Sequence, residues 1–285
     1  MREVNGFPKK LIFKRSKMKK RAFTLIELLV VVAIIALLLA VVTPALRKAK
    51  EYSKRIICTS NVRQTGIALK IYAEGNDNKV IPLTTPSGVV VKESDSNRQP
   101  HWGVVAFNDN YRDSTGKMIP LHLGVLYRMG LIDTPHIFYC PAQPVNSNYD
   151  LPYTYDAYTS DGTAEWGTVT VSRSWTGNYC RTSFNYWTYY KTRWDQIGSH
   201  RPIIVDNVQE WEVIPHRKGS AASDSIPQGV SALFGDGHVA FCTDNGDLFT
   251  DYTWNGKNRA DNINGNGPGN DIVAFDRILR ALQGQ

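Results

Sequence analysis

Phe23 to Val42 reads FTLIELLVVVAIIALLLAVV, and of these 20 residues only Thr24 and Glu27 are polar. As a helix rising 1.5 Å per residue the stretch spans roughly 30 Å, about one hydrocarbon core. A carboxylate at the fifth position of such a helix is costly in lipid unless it is paired, so Glu27 asks for a partner. Immediately upstream, residues 1–22 hold nine Lys/Arg against one acid, Glu3. Positive charge on the N-terminal side keeps that end in the cytoplasm, so everything after Val42 is expected outside the inner membrane.

The charge distribution removes one function class. The whole chain carries +7, but residues 1–22 carry +8, which leaves −1 for the rest. The basic character belongs to a leader, and the body has no basic run of the kind that nucleic acid would require. At 285 residues, 42% hydrophobic and 21% charged, the body has ordinary globular composition and room for one large or two small domains.

Downstream of the apolar run, Ala45, Ala49, Tyr52, Ile56, Ser60, Ile67 and Ile71 keep near-helical spacing with polar residues between them. Gly75-Asn76 is a stop signal. The pattern predicts one helix over 23–74, and Pro44 inside it is expected to kink the helix where it leaves the bilayer. Three regions follow: a leader over 1–22, the helix over 23–74, and a globular α+β domain over 75–285. A short helix is predicted at Leu121–Met129 and a last one at Ile272–Leu282. Strands are predicted at Ile137–Cys140, Thr168–Ser172, Phe184–Tyr189 and Pro202–Val205. Val230–Phe234 and His238–Cys242, around Gly235-Asp236-Gly237, form a hairpin. Residues 261–271 read as a loop.

The basic leader, the Ala22/Phe23 junction, Glu27 and the apolar run resemble the signal of type IV prepilins and pseudopilins, although that family usually has Gly where this chain has Ala22. The resemblance implies cleavage between Ala22 and Phe23 by a prepilin peptidase, N-methylation of Phe23, and pairing of Glu27 with the N-terminal amine of a neighbouring subunit. The competing reading is an ordinary secretory signal or signal anchor, with Glu27 snorkelling to the headgroups. Thr43-Pro44-Ala45 only roughly supplies the small residues a signal peptidase would want.

Past the helix the chain resembles a large family of prepilin-like proteins of the planctomycete and lentisphaera type. The matching elements are Cys58 to Gln64 with Gly66 to Leu69 and Tyr72-Ala73, then Phe138-Tyr139-Cys140-Pro141, and finally Leu233 to Val239. That family's name records a His nine residues before Asp-Gly. The nearest upstream candidate is His216, with nineteen residues between it and Asp236, and Lys218–Pro227 reads as a polar loop insertion.

His216, Asp236 and His238 are legitimate metal ligands. Asp-Gly is also what a hairpin turn demands, and the structural reading is preferred: no metal and no catalytic residue is expected. No nucleophile with a base is visible. Some pseudopilins bind calcium in a C-terminal loop, and Asp244, Asp247, Asp251, Asp261, Asn264 and Asp271 supply hard oxygens. They miss the EF-hand spacing, so calcium is kept only as a weak candidate through Asp244, Asp247, Asp261 and Asp271. Cys58, Cys140, Cys180 and Cys242 all fall on the external side, where disulfides persist, and four cysteines allow three connectivities. The family elements holding Cys58 and Cys140 suggest that this pair bonds, leaving Cys180 with Cys242.

The expected fold is α+β and pilin-like: a long N-terminal helix whose outer half packs on a small antiparallel sheet with long loops. The expected function is a structural, non-enzymatic subunit assembled through its helix into an envelope filament of a secretion or pilus system, type II secretion included. Its expected partners are copies of itself, other pilin-like subunits, the prepilin peptidase and an inner-membrane assembly platform. The expected location is the inner membrane, single-pass, with a periplasmic domain. The alternative is a membrane-anchored binding module in which the aromatic-rich segment 149–194 recognises glycans.

Overall fold

The computed structural model describes residues 24–85, 88–90, 92, 103–144, 153–160, 162–173, 177–188, 191–208, 214–218, 226–244 and 278–282. Within these residues the chain is α+β, a long N-terminal helix followed by antiparallel sheets. Helix α1 runs unbroken over Leu25–Glu74 and passes through Pro44. It ends where Asp77 and Asn78 take left-handed φ angles of 55° and 60°, and the Asn76 side chain donates to the Tyr72 carbonyl. Contacts divide the chain into two compact units, 1–48 and 49–285, so the division falls inside α1.

In the first unit the large apolar side chains of α1 from Leu25 to Leu46 are exposed. A helix with apolar groups exposed all round is not at rest in water. It is long and apolar enough to cross a membrane. In the second unit α1 changes character. Cys58, Val62, Thr65, Leu69 and Ala73 are buried, spaced three or four apart on one face with Gly66 beside them, and Arg63, Gln64 and Lys70 face solvent.

Strands β1 (Val105–Arg112), β2 (Met118–Pro120), β3 (Val171–Arg173) and β4 (Gly177–Arg181) form one antiparallel sheet in the order β2-β1-β4-β3. Strands β5 (Phe184–Tyr186), β6 (Pro202–Asp206), β9 (Gly229–Phe234) and β10 (Val239–Thr243) form another, ordered β10-β9-β6-β5. A two-stranded ribbon pairs β7 (Arg217–Lys218) with β8 (Ile226–Pro227). Helix α2 (Gly124–Arg128) lies against the first sheet.

The second sheet is covered on both faces, and this is why β6 and β9 are buried throughout. Leu233 and Ser231 of β9 face α1: the Thr59 and Ser231 hydroxyls are 3.4 Å apart, and a Cβ added at Gly66 would lie 2.8 Å from the Leu233 side chain. Gly66 therefore gives up helix propensity for a close helix–sheet approach. Val230, Ala232 and Phe234 point the other way, into a cluster with Val205, Cys242 and the helical residues 278–282.

Several expectations change. Among the described residues the antiparallel strands fall into two four-stranded sheets and a ribbon. Ile137–Cys140 is not a strand: Pro135–Phe138 is a 3-10 helix opened by Pro135, whose fixed φ suits a first turn. The short helix is trimmed to Gly124–Arg128, and the Phe184 strand stops at Tyr186. The strand expected at Thr168–Ser172 lies at Val171–Arg173. Strands β1, β2 and β4 had no expectation; β1 is buried only along Val105–Asn108 and turns outward after it, so its sequence never alternates. The loop at 261–271 lies outside the described residues.

Candidate functional site

The sequence-predicted processing pair, Ala22 and Phe23, lies outside the described residues. Just inside them Thr24 and Glu27 form a reciprocal cap. The Thr24 amide and hydroxyl donate to Glu27 Oε2 at 2.8 and 2.7 Å, and the Glu27 amide donates back to Thr24 Oγ1 at 3.3 Å. This is the Thr-x-x-Glu capping box, and it satisfies amides that the first turn of a helix leaves orphaned. The carboxylate is therefore partly employed within its own chain. The Thr-x-x-Glu spacing was visible in the sequence and points to the cap.

The hairpin at Gly235-Asp236-Gly237 is a structural turn. β9 and β10 pair from Val239↔Leu233 to Thr243↔Gly229. Asp236 Oδ1 accepts from the His238 amide at 3.0 Å and lies 2.6 Å from His238 Nδ1. Gly237 takes φ +92° and faces open space, a conformation glycine supplies without strain. The His238 ring stacks on Phe234 at 4.3 Å. The loop is pinned by the Gly235 amide donating to Arg201 O at 2.8 Å and by Trp194 Nε1 donating to Gly235 O at 2.8 Å.

His216 is elsewhere. It is buried beside Cys58, Cys140 and Asp206, and one ligand-capable atom from each of the four lies within 4.8 Å of all the others. The four side chains come from four places in the chain: the amphipathic part of α1, the segment after the 3-10 helix, the end of β6, and the loop before β7. Residual exposure is 0, 4, 0 and 1% for Cys58, Cys140, Asp206 and His216, so water cannot solvate the polar atoms there. Cys58 Sγ donates to Asp206 Oδ1 at 3.0 Å, and Asp206 Oδ2 accepts from the Ser231 amide at 2.6 Å. His216 Nε2 is 3.4 Å from Cys140 Sγ and 3.5 Å from Asp206 Oδ2.

Burial sets the protonation states. It raises both thiols, Cys58 well above its ordinary range. It lifts Asp206 to about 6 against the hydrogen bonds it accepts. It lowers His216 to about 3, with the positive charges of Arg55 and Lys54 adding to the effect. At neutral pH His216 is thus a neutral imidazole, and its contact with Asp206 is not an ion pair. Its Nδ1 has no hydrogen-bond partner among the described residues. The backbone at His216 takes φ +57°, an unfavourable conformation for a residue with a Cβ and one that clusters at functional positions.

The insertion between His216 and the hairpin is closed at its base. Arg217 pairs with Pro227 and Lys218 with Ile226, and the Gln228 amide donates to His216 O at 2.9 Å. If residues 218–227 are skipped, nine residues separate His216 from Asp236.

The structure brings Cys58 and Cys140 together and puts Cys180 and Cys242 in different apolar clusters. All four are buried free thiols. Of the calcium candidates Asp244 follows β10, its amide bonded to Gln228 O at 2.9 Å. Asp247, Asp261 and Asp271 lie outside the described residues. The aromatic segment supplies core: Tyr158, Phe184 and Tyr186 are at most 1% exposed, and Trp166 packs against Phe107, Tyr127 and Phe138. Among its described aromatics only Tyr155 is partly exposed. Asp206 was missed in the sequence; its signal is a carboxylate closing the otherwise apolar strand Pro202–Val205.

No curated protein and no solved structure matches the chain. Residues 17–43 match the family described as "Prokaryotic N-terminal methylation motif", so the chain carries a type IV pilin-like prepilin N-terminus.

Proposed function

We propose that this chain is a pseudopilin or type IV pilin-like subunit, cut between Ala22 and Phe23, methylated on the Phe23 amine, and assembled through α1 into an envelope filament of a secretion or pilus system. The observation that carries the reading is the methylation-motif match at 17–43 on a helix whose apolar side chains are exposed along the whole of Leu25 to Leu46. Such a surface has to be covered by lipid before assembly and by neighbouring helices after it. Glu27 Oε2 accepts both Thr24 bonds, and the reading gives Oε1 to the Phe23 amine of the next subunit. That pairing sets axial register more than it adds stability. The second unit faces outward and carries out no reaction. It corresponds to the His-x9-Asp-Gly type of domain, because the ribbon closes the insertion that separates His216 from Asp236.

The decisive measurement is mass spectrometry of the mature N-terminus. A chain starting at Phe23 and heavier by one methyl group is expected. An intact leader, or a start near Leu46, would overturn the reading.

A further inference from the structure

We propose that Cys58, Cys140, Asp206 and His216 form a closed, structural zinc site that fastens α1 to the second sheet. The inference goes beyond the filament reading and does not depend on it.

The donor types select the metal. Two thiols and an imidazole suit zinc and do not suit calcium or magnesium, which take all-oxygen sets. The geometry is already close. A zinc ion bonded to two sulfurs, one nitrogen and one oxygen in a tetrahedron holds those atoms roughly 3.3–3.8 Å apart. Here the Cys140–His216 and Asp206–His216 separations are 3.4 and 3.5 Å, the Cys58–Asp206 separation is 3.0 Å, and all four atoms lie within 4.8 Å of one another. Small side-chain adjustments complete the tetrahedron. Four protein donors leave no open position, so the site is structural rather than catalytic.

The surroundings fit a bound ion. Asp206 is oriented by the Ser231 amide, the kind of outer support that ligating carboxylates have. Binding breaks two S–H bonds, forms two Zn–S bonds and releases two protons to solvent. The resulting centre, Zn2+ with two thiolates, one carboxylate and a neutral imidazole, carries one net negative charge. Arg55 supplies the opposite charge, placed by its contact with the Phe241 ring at 4.8 Å. A surface cleft of about 460 Å³ lined by Ile57, Asn61, Tyr139 and Cys140 offers an access route. Without a metal the same positions bury two thiols, a carboxylate and an imidazole in the middle of a core, held by the Cys58–Asp206 and Ser231–Asp206 hydrogen bonds and the Cys140–His216 contact, a polar group whose burial is costly. His216 holds a left-handed backbone, φ +57°, while its Nε2 lies beside Cys140 and Asp206.

The test uses the full chain, purified in detergent without reductant from zinc-containing medium. Metal content is read by elemental mass spectrometry, and thiols are counted by alkylation in denaturant with chelator. About one zinc per chain and four alkylatable thiols are expected. Zinc content should fall at least tenfold in Cys58→Ser and in His216→Ala and be retained in Cys180→Ser and His238→Ala. So that the test does not depend on the folding of the first two variants, Co2+ is also exchanged into the wild-type chain, where intense tetrahedral bands with a thiolate charge-transfer band are expected. The proposal is overturned by a metal-free wild-type chain, by a Cys58–Cys140 disulfide in place of two thiols, by zinc retained in both ligand variants, or by a weak octahedral Co2+ spectrum.

Discussion

At the residue scale Glu27 makes a local cap with Thr24, and the filament reading proposed above gives its charge a second role, toward a neighbouring subunit. Glu27→Gln keeps an acceptor for the Thr24 amide and removes the charge. Hydrogen exchange of the Leu25–Leu28 amides in micelles should therefore stay near wild type, while cross-linking between neighbouring helices in cells drops sharply. Thr24→Val should do the reverse at the helix start, costing about 1 kcal/mol of cap and speeding exchange there. Equal loss of cross-linking in both variants would mean that only the cap matters. Gly66 is the second residue whose identity is dictated by a neighbour. Gly66→Leu drives a side chain into Leu233, and the expected loss is about 1–3 kcal/mol, read as a lower melting temperature of the globular unit.

At the element scale the informative piece is the β7–β8 ribbon. Its two pairs, Arg217↔Pro227 and Lys218↔Ile226, return the chain to its starting point, so the ribbon is expected to hold His216 with a shorter connection as well. Replacing residues 219–225 with Asn-Gly should give a two-residue hairpin on the same pairs. Stability should change by about 1 kcal/mol or less, since shortening a loop alters closure entropy only slowly. A fall of many degrees in melting temperature would show that the replaced residues pack on the core. The β9–β10 hairpin makes the opposite case. Its turn residues bond to 199–201 and to Trp194. Gly235→Ala would press a Cβ to 2.4 Å from Gly198 O, and a rigid backbone atom cannot move aside as the Leu233 side chain can.

At the scale of the whole molecule the two units differ in what covers their apolar groups. The apolar stem of the first unit is exposed and long and apolar enough to cross a membrane, and the second unit has buried apolar clusters of its own. A charge in the middle of the stem should therefore affect location and not folding. Leu37→Lys costs roughly 2.5–3.5 kcal/mol at a bilayer centre. Carbonate extraction should release more of the variant from membranes while the melting curve of the globular unit stays unchanged. Loss of that melting transition would show that the two units depend on each other for folding.

Much of this protein was readable along the chain, because the features concerned depend on local order. The apolar run, its basic leader, the amphipathic continuation of α1, its stop at Gly75 and the hairpin at Asp236-Gly237 follow from hydrophobic period, charge and turn chemistry, which act over a few residues. Strands β1, β2 and β4 were not readable, because their burial comes from partners distant in sequence and leaves no alternation. The buried cluster was the least readable of all. Cys58 and Cys140 are conspicuous as cysteines, but nothing local in the sequence joins them to His216 or to Asp206. Their meeting depends on α1 packing on β9, on β6 ending at that point, and on the ribbon holding His216 in place. Sequence alone determined the prepilin-like N-terminus and the long helix. Only tertiary structure decided that two cysteines, an aspartate and a histidine share one dry pocket, because side-chain proximity across 158 residues of chain is a property of packing and not of pattern.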